Sequence, residues 1–318
     1  AMSFLPEEGH KARMAREELF RSRDALFAHL HEKVEESARE RVPSRDADAE
    51  AMFRLGLQAA PLFIGFALFI AERAIMDRLD RLLFLTREGE FFFRLFQTLF
   101  PEDRHAGHSL PPCAILAASR YATFTASIEA VSVEEFNRIW NLNWQQKLST
   151  LFGILRIEPQ AFSRLLAHLG LSPEELIVRP QEDRRIKELL ANKDFIEAVR
   201  SSAQKERSQL IAYLQQQGVE PGERIGFVDI GWRGTIQDNL ARIVPECETT
   251  GYYLALRVFL NPQPPNAIKY SFGSTNVFRI PGDSSKASSR SNSCVIRPTG
   301  ACAITGATKP GRLCRCAR

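Results

Sequence analysis

The fold is indicated first by residues 224–235, which read Arg-Ile-Gly-Phe-Val-Asp-Ile-Gly-Trp-Arg-Gly-Thr. The apolar run up to Asp229 is typical of a buried strand, and helical phasing follows a turn that contains two glycines. Gly231 and Gly234 can let the backbone turn tightly and approach a ligand, while Thr235 can cap the helix. This strand, turn and helix predict one repeating unit of an α/β fold.

Two earlier segments repeat the pattern of an apolar strand that ends in a polar turn. Residues 81–85 form an apolar run before Thr86-Arg87-Glu88-Gly89, and residues 90–100 have helical phasing. A second strand is predicted at 113–117 and ends at Ala118-Ser119-Arg120. We therefore predict an α/β fold, with a mainly parallel sheet, helices on both faces and a large helical insertion.

The pattern along the chain predicts an N-terminal helical segment at 1–48 and an α/β domain at 49–282. The insertion falls at about 121–222, where Ser-Pro-Glu-Glu at 172–175 predicts the start of a helix by a capping box. Residues 283–318 are rich in Ser, Gly, Arg and Cys and lack apolar periodicity. We expect them to be a disordered or non-native tail.

The charge of the chain argues against a nucleic-acid partner. The 318 residues carry a net charge of +4, but seven Lys and Arg and no acidic residue follow Asp283. Without those seven positive charges, the rest of the chain has a net charge of −3. A mildly acidic body lacks the basic footprint of a nucleic-acid-binding protein.

Apolar content and cysteine use predict a cytoplasmic protein without a membrane span. The most apolar stretch, 57–71, contains Pro61 and Gly65 and is shorter than the ~20 residues that a spanning helix needs. We therefore predict a buried helix there. Cys113 and Cys247 are isolated in the body of the chain, which fits a reducing compartment.

The chemistry expected at the third turn is anion binding, with a phosphate as the anion. The helix that begins near Thr235 presents free N–H groups, and Arg233, with Arg87 and Arg120 from the other turns, can add bidentate contacts. Asp229 is the candidate catalytic residue, because it can orient a hydroxyl, bind Mg²⁺ or act as a base. The alternative is structural, with Asp229 capping the turn and the arginines solvated.

Three motifs together carry a family resemblance. They are Phe-Leu-Thr-Arg-Glu-Gly at 84–89, Ala-Ser-Arg at 118–120 and Val-Asp-Ile-Gly-Trp-Arg-Gly-Thr-Ile-Gln at 228–237. Over about residues 50–260 the chain resembles the downstream domain of predicted haloacid-dehalogenase (HAD)-superfamily hydrolases of bacterial polysaccharide-biosynthesis loci, which are often fused to glycosyltransferases. The resemblance implies a cytoplasmic bacterial protein of surface-polysaccharide assembly, with a phosphorylated sugar as ligand and a glycosyltransferase as a possible partner.

The chain departs from the family in lacking the catalytic hydrolase motif, Asp-x-Asp followed by Thr after an apolar strand. Asp46-Ala47-Asp48 has the letters but no strand before it, and Asp229 is followed by Gly231 where the general acid would stand. In the family this motif lies upstream, and it is absent from this sequence. A phosphoaspartate mechanism is therefore not assigned.

Three hypotheses follow for the function. The first is a hydrolase or phosphotransferase-like domain, associated with the HAD superfamily, that binds a phosphorylated sugar or a nucleotide-like ligand, with Mg²⁺ as its one candidate cofactor. The second is a non-catalytic binding or regulatory module of a glycosyltransferase system. The third is a phosphoribosyltransferase-like enzyme, because a strand ending in an acid and a glycine-containing turn ending in Thr235 are loosely similar to the ribose-phosphate loop of those enzymes.

Overall fold

A computed structural model describes residues 10–41, 46–273, 294–296 and 302–305. The chain divides into two compact units, residues 1–115 (the N-terminal unit) and residues 116–318 (the C-terminal unit). Both units contain parallel strands flanked by helices, so the prediction of an α/β fold is confirmed. The predicted tail at 283–318 lies outside the described residues, apart from two short strands.

The N-terminal unit contains two long helices followed by strands and a shorter helix. Its elements are α1 (His10–Glu40), α2 (Ala47–Met76), β1 (Arg81–Leu85), α3 (Glu88–Leu99), β2 (Arg104–His105), β3 (His108–Ser109) and β4 (Cys113–Leu116). The strand predicted at 81–85 is confirmed, and β4 is its neighbour in the sheet. The helix predicted from residue 90 begins two residues earlier, so Glu88 belongs to α3.

Helix α2 begins at a side-chain cap and ends in the core. Asp46 accepts hydrogen bonds from the backbone N–H groups of Asp48 and Ala49, which explains an Asp-x-Asp sequence at a helix start. Among the described residues, α2 is the one helix long and apolar enough to span a membrane by length and composition. Of its most apolar window, 33% is buried inside the protein.

The C-terminal unit alternates helices with short and long strands. Its elements are α4 (Arg120–Ala126), α5 (Val133–Trp140), β5 (Gln145–Lys147), α6 (Leu148–Leu155), a 3₁₀ turn (Pro159–Phe162), α7 (Ser163–Leu169), β6 (Leu176–Val178), α8 (Arg184–Ala191), α9 (Lys193–Gln216), β7 (Arg224–Trp232), α10 (Thr235–Ile243), β8 (Glu248–Leu256), β9 (Ala267–Ser271), β10 (Cys294–Ile296) and β11 (Cys302–Thr305). Strands β7, β8 and β9 are parallel. Antiparallel pairing adds β11 to β9 and β10 to β11.

The predicted helical insertion is helical over most of its length and has an aromatic core. Phe124, Phe136, Trp140, Phe152 and Phe195 are buried together. Burial of large aromatic side chains supplies much of the hydrophobic stabilisation of such a cluster. The insertion therefore has a core of its own beside the sheet.

The helix start predicted at 172–175 is wrong. Gly170 ends α7 in the left-handed conformation. Ser172 and Glu175 then form a turn in which the Glu175 N–H bonds to the Ser172 carbonyl at 3.0 Å. The residues that follow form β6 and pair with β5, with Ile177 opposite Gln146. A Leu-Ile-Val run suits a strand, and tertiary pairing overrides the local capping signal.

Candidate anion-binding site

The carboxylate of Asp229 lies within β7, not after it. The strand continues to Trp232, three residues beyond its predicted end, because pairing with β8 also continues. Asp229 is half-buried opposite Tyr253 of β8, and its Oδ1 accepts a hydrogen bond from the Ile230 N–H at 2.8 Å. The strand thus orients the carboxylate while part of it stays exposed to solvent.

Both predicted glycines of the turn are required by its geometry. Gly231 has φ +139°, and a Cβ there would lie 1.9 Å from the carbonyl oxygen of Ala255. Gly234 has φ +64°, and a Cβ there would lie 2.6 Å from the Tyr253 hydroxyl and 2.7 Å from Cε of Lys269. No residue with a side chain fits either position without displacing its neighbours, so the turn depends on both glycines.

Thr235 does not cap α10 as predicted. The N-cap position is Gly234, which offers no side-chain hydrogen bond, and Thr235 is the first helical residue. The reason is the left-handed conformation of Gly234, which places the helix boundary one residue earlier than the threonine. An α-helix leaves its first N–H groups without intrahelical partners, so the start of α10 offers backbone donors next to the turn.

A buried lysine supports the turn from inside the protein. Lys269 of β9 is 1% exposed, and its Nζ donates hydrogen bonds to the Arg233 carbonyl at 3.1 Å, to Asp238 Oδ1 at 2.5 Å and to Gln263 Oε1 at 2.5 Å. Burial raises the pKa of Asp238 and lowers that of Lys269, while the attraction between the two groups opposes both shifts. This pair fixes the Arg233 carbonyl and thereby the path of the turn.

A second buried group lies beside the lysine and links α10 to the sheet. The Gln237 side chain donates hydrogen bonds to the carbonyl oxygens of Thr249 and Ile268, and it accepts one from the Tyr253 hydroxyl at 2.8 Å. Burial raises the pKa of Tyr253 well above its usual value, and the charges of nearby carboxylates, Asp229 first, raise it further. The phenol is thus a hydrogen-bond donor that stays protonated.

Three arginines converge at the same turn. Burial lowers the pKa of Arg233, and the positive charges of Arg257 and Arg120 lower it further. Arg257 is tied to the turn by its backbone N–H, which donates to the Trp232 carbonyl at 2.5 Å. Arg233 is half-buried, and its Nε donates to the Val258 carbonyl at 3.3 Å. The predicted residues Arg120 and Arg233 are therefore brought together, and Arg257 joins them.

Arg120 is held in place through its backbone. Its carbonyl accepts a hydrogen bond from Nδ2 of Asn239 on α10 at 3.3 Å, and the same Nδ2 reaches Oγ1 of Thr123 at 2.9 Å. Oδ1 of the buried Asn239 accepts from Arg138 at 2.6 Å. One asparagine thus fastens the start of α4 to α10, and the Arg120 side chain remains exposed.

Arg87 belongs to the N-terminal unit. It is exposed at the N-cap position of α3, where its side chain makes no capping hydrogen bond. Glu88 next to it is the first residue of α3. The contribution of Arg87 to the same ligand stays a prediction.

A metal ion at this site would have to be coordinated by ligand oxygens as well as by Asp229. Within the described ranges, no group of three or more His, Cys, Asp or Glu side chains is placed to hold a metal ion. Mg²⁺ is often bound by one or two carboxylates together with substrate phosphates. Asp229 fits that mode, in which phosphate oxygens supply further ligands.

Sequence reasoning missed Arg257 and the buried polar groups behind the turn. Arg257 directly follows β8, which ends at Leu256, so the rule that ligands bind at the carboxyl ends of strands identifies it once that end is known. Lys269 stands between Ile268 and Tyr270 in the middle of β9, and a lysine is almost never fully buried without a partner. The sequence therefore contained a sign that Lys269 has a buried partner, but nothing in it identified that partner as Asp238.

No family model matches the chain, and no curated protein matches it.

Proposed function

We propose that the turn at 229–235, together with Arg120, Arg233 and Arg257, binds the phosphate of a phosphorylated sugar or nucleotide-like ligand. The observation that carries the proposal is that hydrogen bonds hold three arginines beside the start of α10. The Arg257 N–H bonds to the turn, Nε of Arg233 donates to the Val258 carbonyl, and the Arg120 carbonyl is held by Asn239 of α10. Guanidinium groups repel one another when they are held together, and an anion between them removes that cost. Their planar donors also match phosphate oxygens in bidentate geometry.

The backbone of the turn adds to the same preference. Gly231 and Gly234 leave no side chain between a ligand and the main chain, and the N-terminus of α10 favours negative charge. Lys269 holds the Arg233 carbonyl, so that this acceptor is engaged inside the protein. The turn thus combines backbone donors and positive side chains without a competing acceptor at residue 233.

For the reaction, we propose phosphate-centred hydrolysis or transfer with Asp229 as the catalytic carboxylate. It can orient a hydroxyl or a water, act as a base, or hold Mg²⁺ together with the phosphate. The second candidate is a binding or regulatory module without turnover. The use of Lys269, Gln237 and Tyr253 in fixed internal hydrogen bonds favours this candidate, because those groups hold the turn and are not available to take part in a reaction.

The biological setting is proposed from the three sequence motifs alone. They support a bacterial cytoplasmic protein of surface-polysaccharide biosynthesis, associated with the HAD superfamily and working with a glycosyltransferase. Arg87 is included as a fourth ligand-binding arginine on the same grounds.

Calorimetric titration of the full chain with inorganic phosphate, glucose 1-phosphate and UMP, with and without Mg²⁺, tests the proposal. Arg233→Ala should weaken binding of each anion at least about tenfold. Arg184→Ala is the matched control. Arg184 belongs to the same unit, is exposed, and forms an ion pair with Glu188 on its own helix. Failure of the folded protein to bind any of the three anions, or equal losses in both variants, would contradict the proposal.

Asp229→Asn separates the catalytic candidate from the binding module. If Asp229 is catalytic, the variant binds glucose 1-phosphate with little change but loses phosphate release or transfer and the effect of Mg²⁺. If the unaltered protein binds these ligands and neither consumes them nor responds to Mg²⁺, the binding module is the correct function.

A further inference from the structure

The three arginines are bordered by unusually exposed apolar and aromatic side chains. Trp232 is 43% exposed and Val258 is 76% exposed. Tyr121, which directly follows Arg120 in the chain, is 43% exposed. Exposed apolar surface beside a few placed polar groups is typical of a ligand-binding site.

Hydrogen bonds to the backbone place Trp232 and Val258, the apolar rim of the site, next to the arginines. The Trp232 carbonyl accepts the Arg257 N–H, and the Val258 carbonyl accepts Nε of Arg233. Trp232 also directly precedes Arg233 in the chain. A ligand bound to these arginines would therefore lie next to Trp232.

The chemistry of the rim favours a flat apolar ring over a sugar ring. A pyranose carries hydroxyl groups around its edge, which need hydrogen-bond partners when they are desolvated. The rim offers an indole and an isopropyl group instead. Nucleobases have extended π-faces, and stacking on an aromatic side chain stabilises each base by about 1–3 kcal/mol.

We infer that the ligand is a nucleoside phosphate whose base stacks on Trp232 while its phosphate is held by Arg233 and its two neighbouring arginines. The inference rests on the proposed function, because the phosphate position defines where the base lies. It narrows the proposed ligand class from phosphorylated sugars in general to nucleoside phosphates. Trp232 is then a specificity-determining residue, and it makes no contact with the phosphate.

The test compares ligands that differ only in the base. Calorimetric titration of the full chain with AMP, UMP, ribose 5-phosphate and inorganic phosphate should give tighter binding of the two nucleotides. Trp232→Ala should weaken AMP and UMP binding about tenfold or more and leave ribose 5-phosphate within twofold. Trp232→Phe should keep most of the nucleotide affinity, because phenylalanine can also stack.

Trp144→Ala is the matched control, because Trp144 is the other exposed tryptophan of the described chain, at 62%, and lies next to β5. It should bind all four ligands as the unaltered protein does. Equal affinity for AMP and ribose 5-phosphate, or an equal loss for both in Trp232→Ala, would overturn base stacking while the phosphate site stands. Failure of the folded, unaltered protein to bind any of the four would overturn the phosphate site itself.

Discussion

The turn after β1 and the turn after β7 both join a buried strand to a helix, and both carry an arginine close to a glycine. After β1, the strand and α3 are held by aromatic packing, with the Phe84 ring 5.4 Å from that of Phe93. After β7, the turn rests on the buried Lys269 and Asp238. Similar local sequence is therefore stabilised by packing in one turn and by buried charge in the other. The turn after β7 is the one supported by buried polar groups, and it is the turn whose backbone N–H groups are proposed to bind the ligand.

The largest effect should come from replacing the glycine of each turn. A Cβ at Gly231 would lie 1.9 Å from a backbone oxygen at a positive φ, whereas a Cβ at Gly89 would lie 2.8 Å from the Phe84 carbonyl carbon in a helical residue. We expect Gly231→Ala to lower the free energy of unfolding by about 4 kcal/mol or more and Gly89→Ala by about 2 kcal/mol. Urea unfolding followed by circular dichroism measures both. Equal losses would erase the difference between the turns.

Removing the buried cation should have the next largest effect. Lys269→Met leaves Asp238 buried without its partner, and we expect a loss of about 3 kcal/mol in unfolding free energy at pH 7. Because burial raises the pKa of Asp238, its protonated form favours folding, so the loss should shrink as the pH falls towards 4. Unfolding curves at pH 4 and pH 7 test this. A loss that does not depend on pH would mean that Lys269 acts by packing alone.

A double variant tests whether Lys269 and Asp238 depend on each other for stability. Adding Asp238→Asn to Lys269→Met removes the buried charge, so much of the lost stability should return. If the two substitutions simply add, the lysine and the carboxylate do not depend on each other.

Arginine substitutions compare the two turns in binding. We expect Arg233→Ala to weaken glucose 1-phosphate binding about 30-fold and Arg87→Ala about fivefold, because Arg233 is half-buried among positive charges and Arg87 is exposed. Calorimetric titration gives both values. If Arg87→Ala binds as tightly as the unaltered protein, the β1 turn has no part in the site.

The smallest effect concerns a buried acid of the N-terminal unit. Burial raises the pKa of Glu72 from 4.5 to about 7, although Arg23, 3.5 Å away, opposes this shift. A raised pKa adds stability that is complete below pH 4.5 and is lost as the pH rises through 7. We expect Glu72→Gln to gain about 1 kcal/mol at pH 8 and nothing at pH 4. Thermal unfolding at the two pH values measures it, and a gain at pH 4 would contradict the assignment.

The sequence predicted those elements whose signals are local. The strand at β1, the strand, turn and helix from β7 to α10, and the need for Gly231 and Gly234 all follow from apolar runs and turn chemistry within a dozen residues. The convergence of Arg120 and Arg233 followed from the rule for strand ends.

Other features depend on residues far apart in the chain. Lys269 and Asp238 are 31 residues apart, and nothing in either neighbourhood indicates the other. The turn at 172–175 became the approach to a strand because β5 pairs with the residues after it. Such outcomes are decided by tertiary contacts, which outweigh local propensity.

The glycine at 234 has a consequence for how this protein can change over evolutionary time. Its missing side chain is the space that the Tyr253 hydroxyl and the Lys269 stem occupy. A lineage that replaces Gly234 must first shrink or move those two side chains, and a lineage that keeps them must keep the glycine. We therefore expect the three positions to be inherited together, so that a Tyr and a Lys at the matching places would identify the same turn in a sequence too diverged to be aligned by eye.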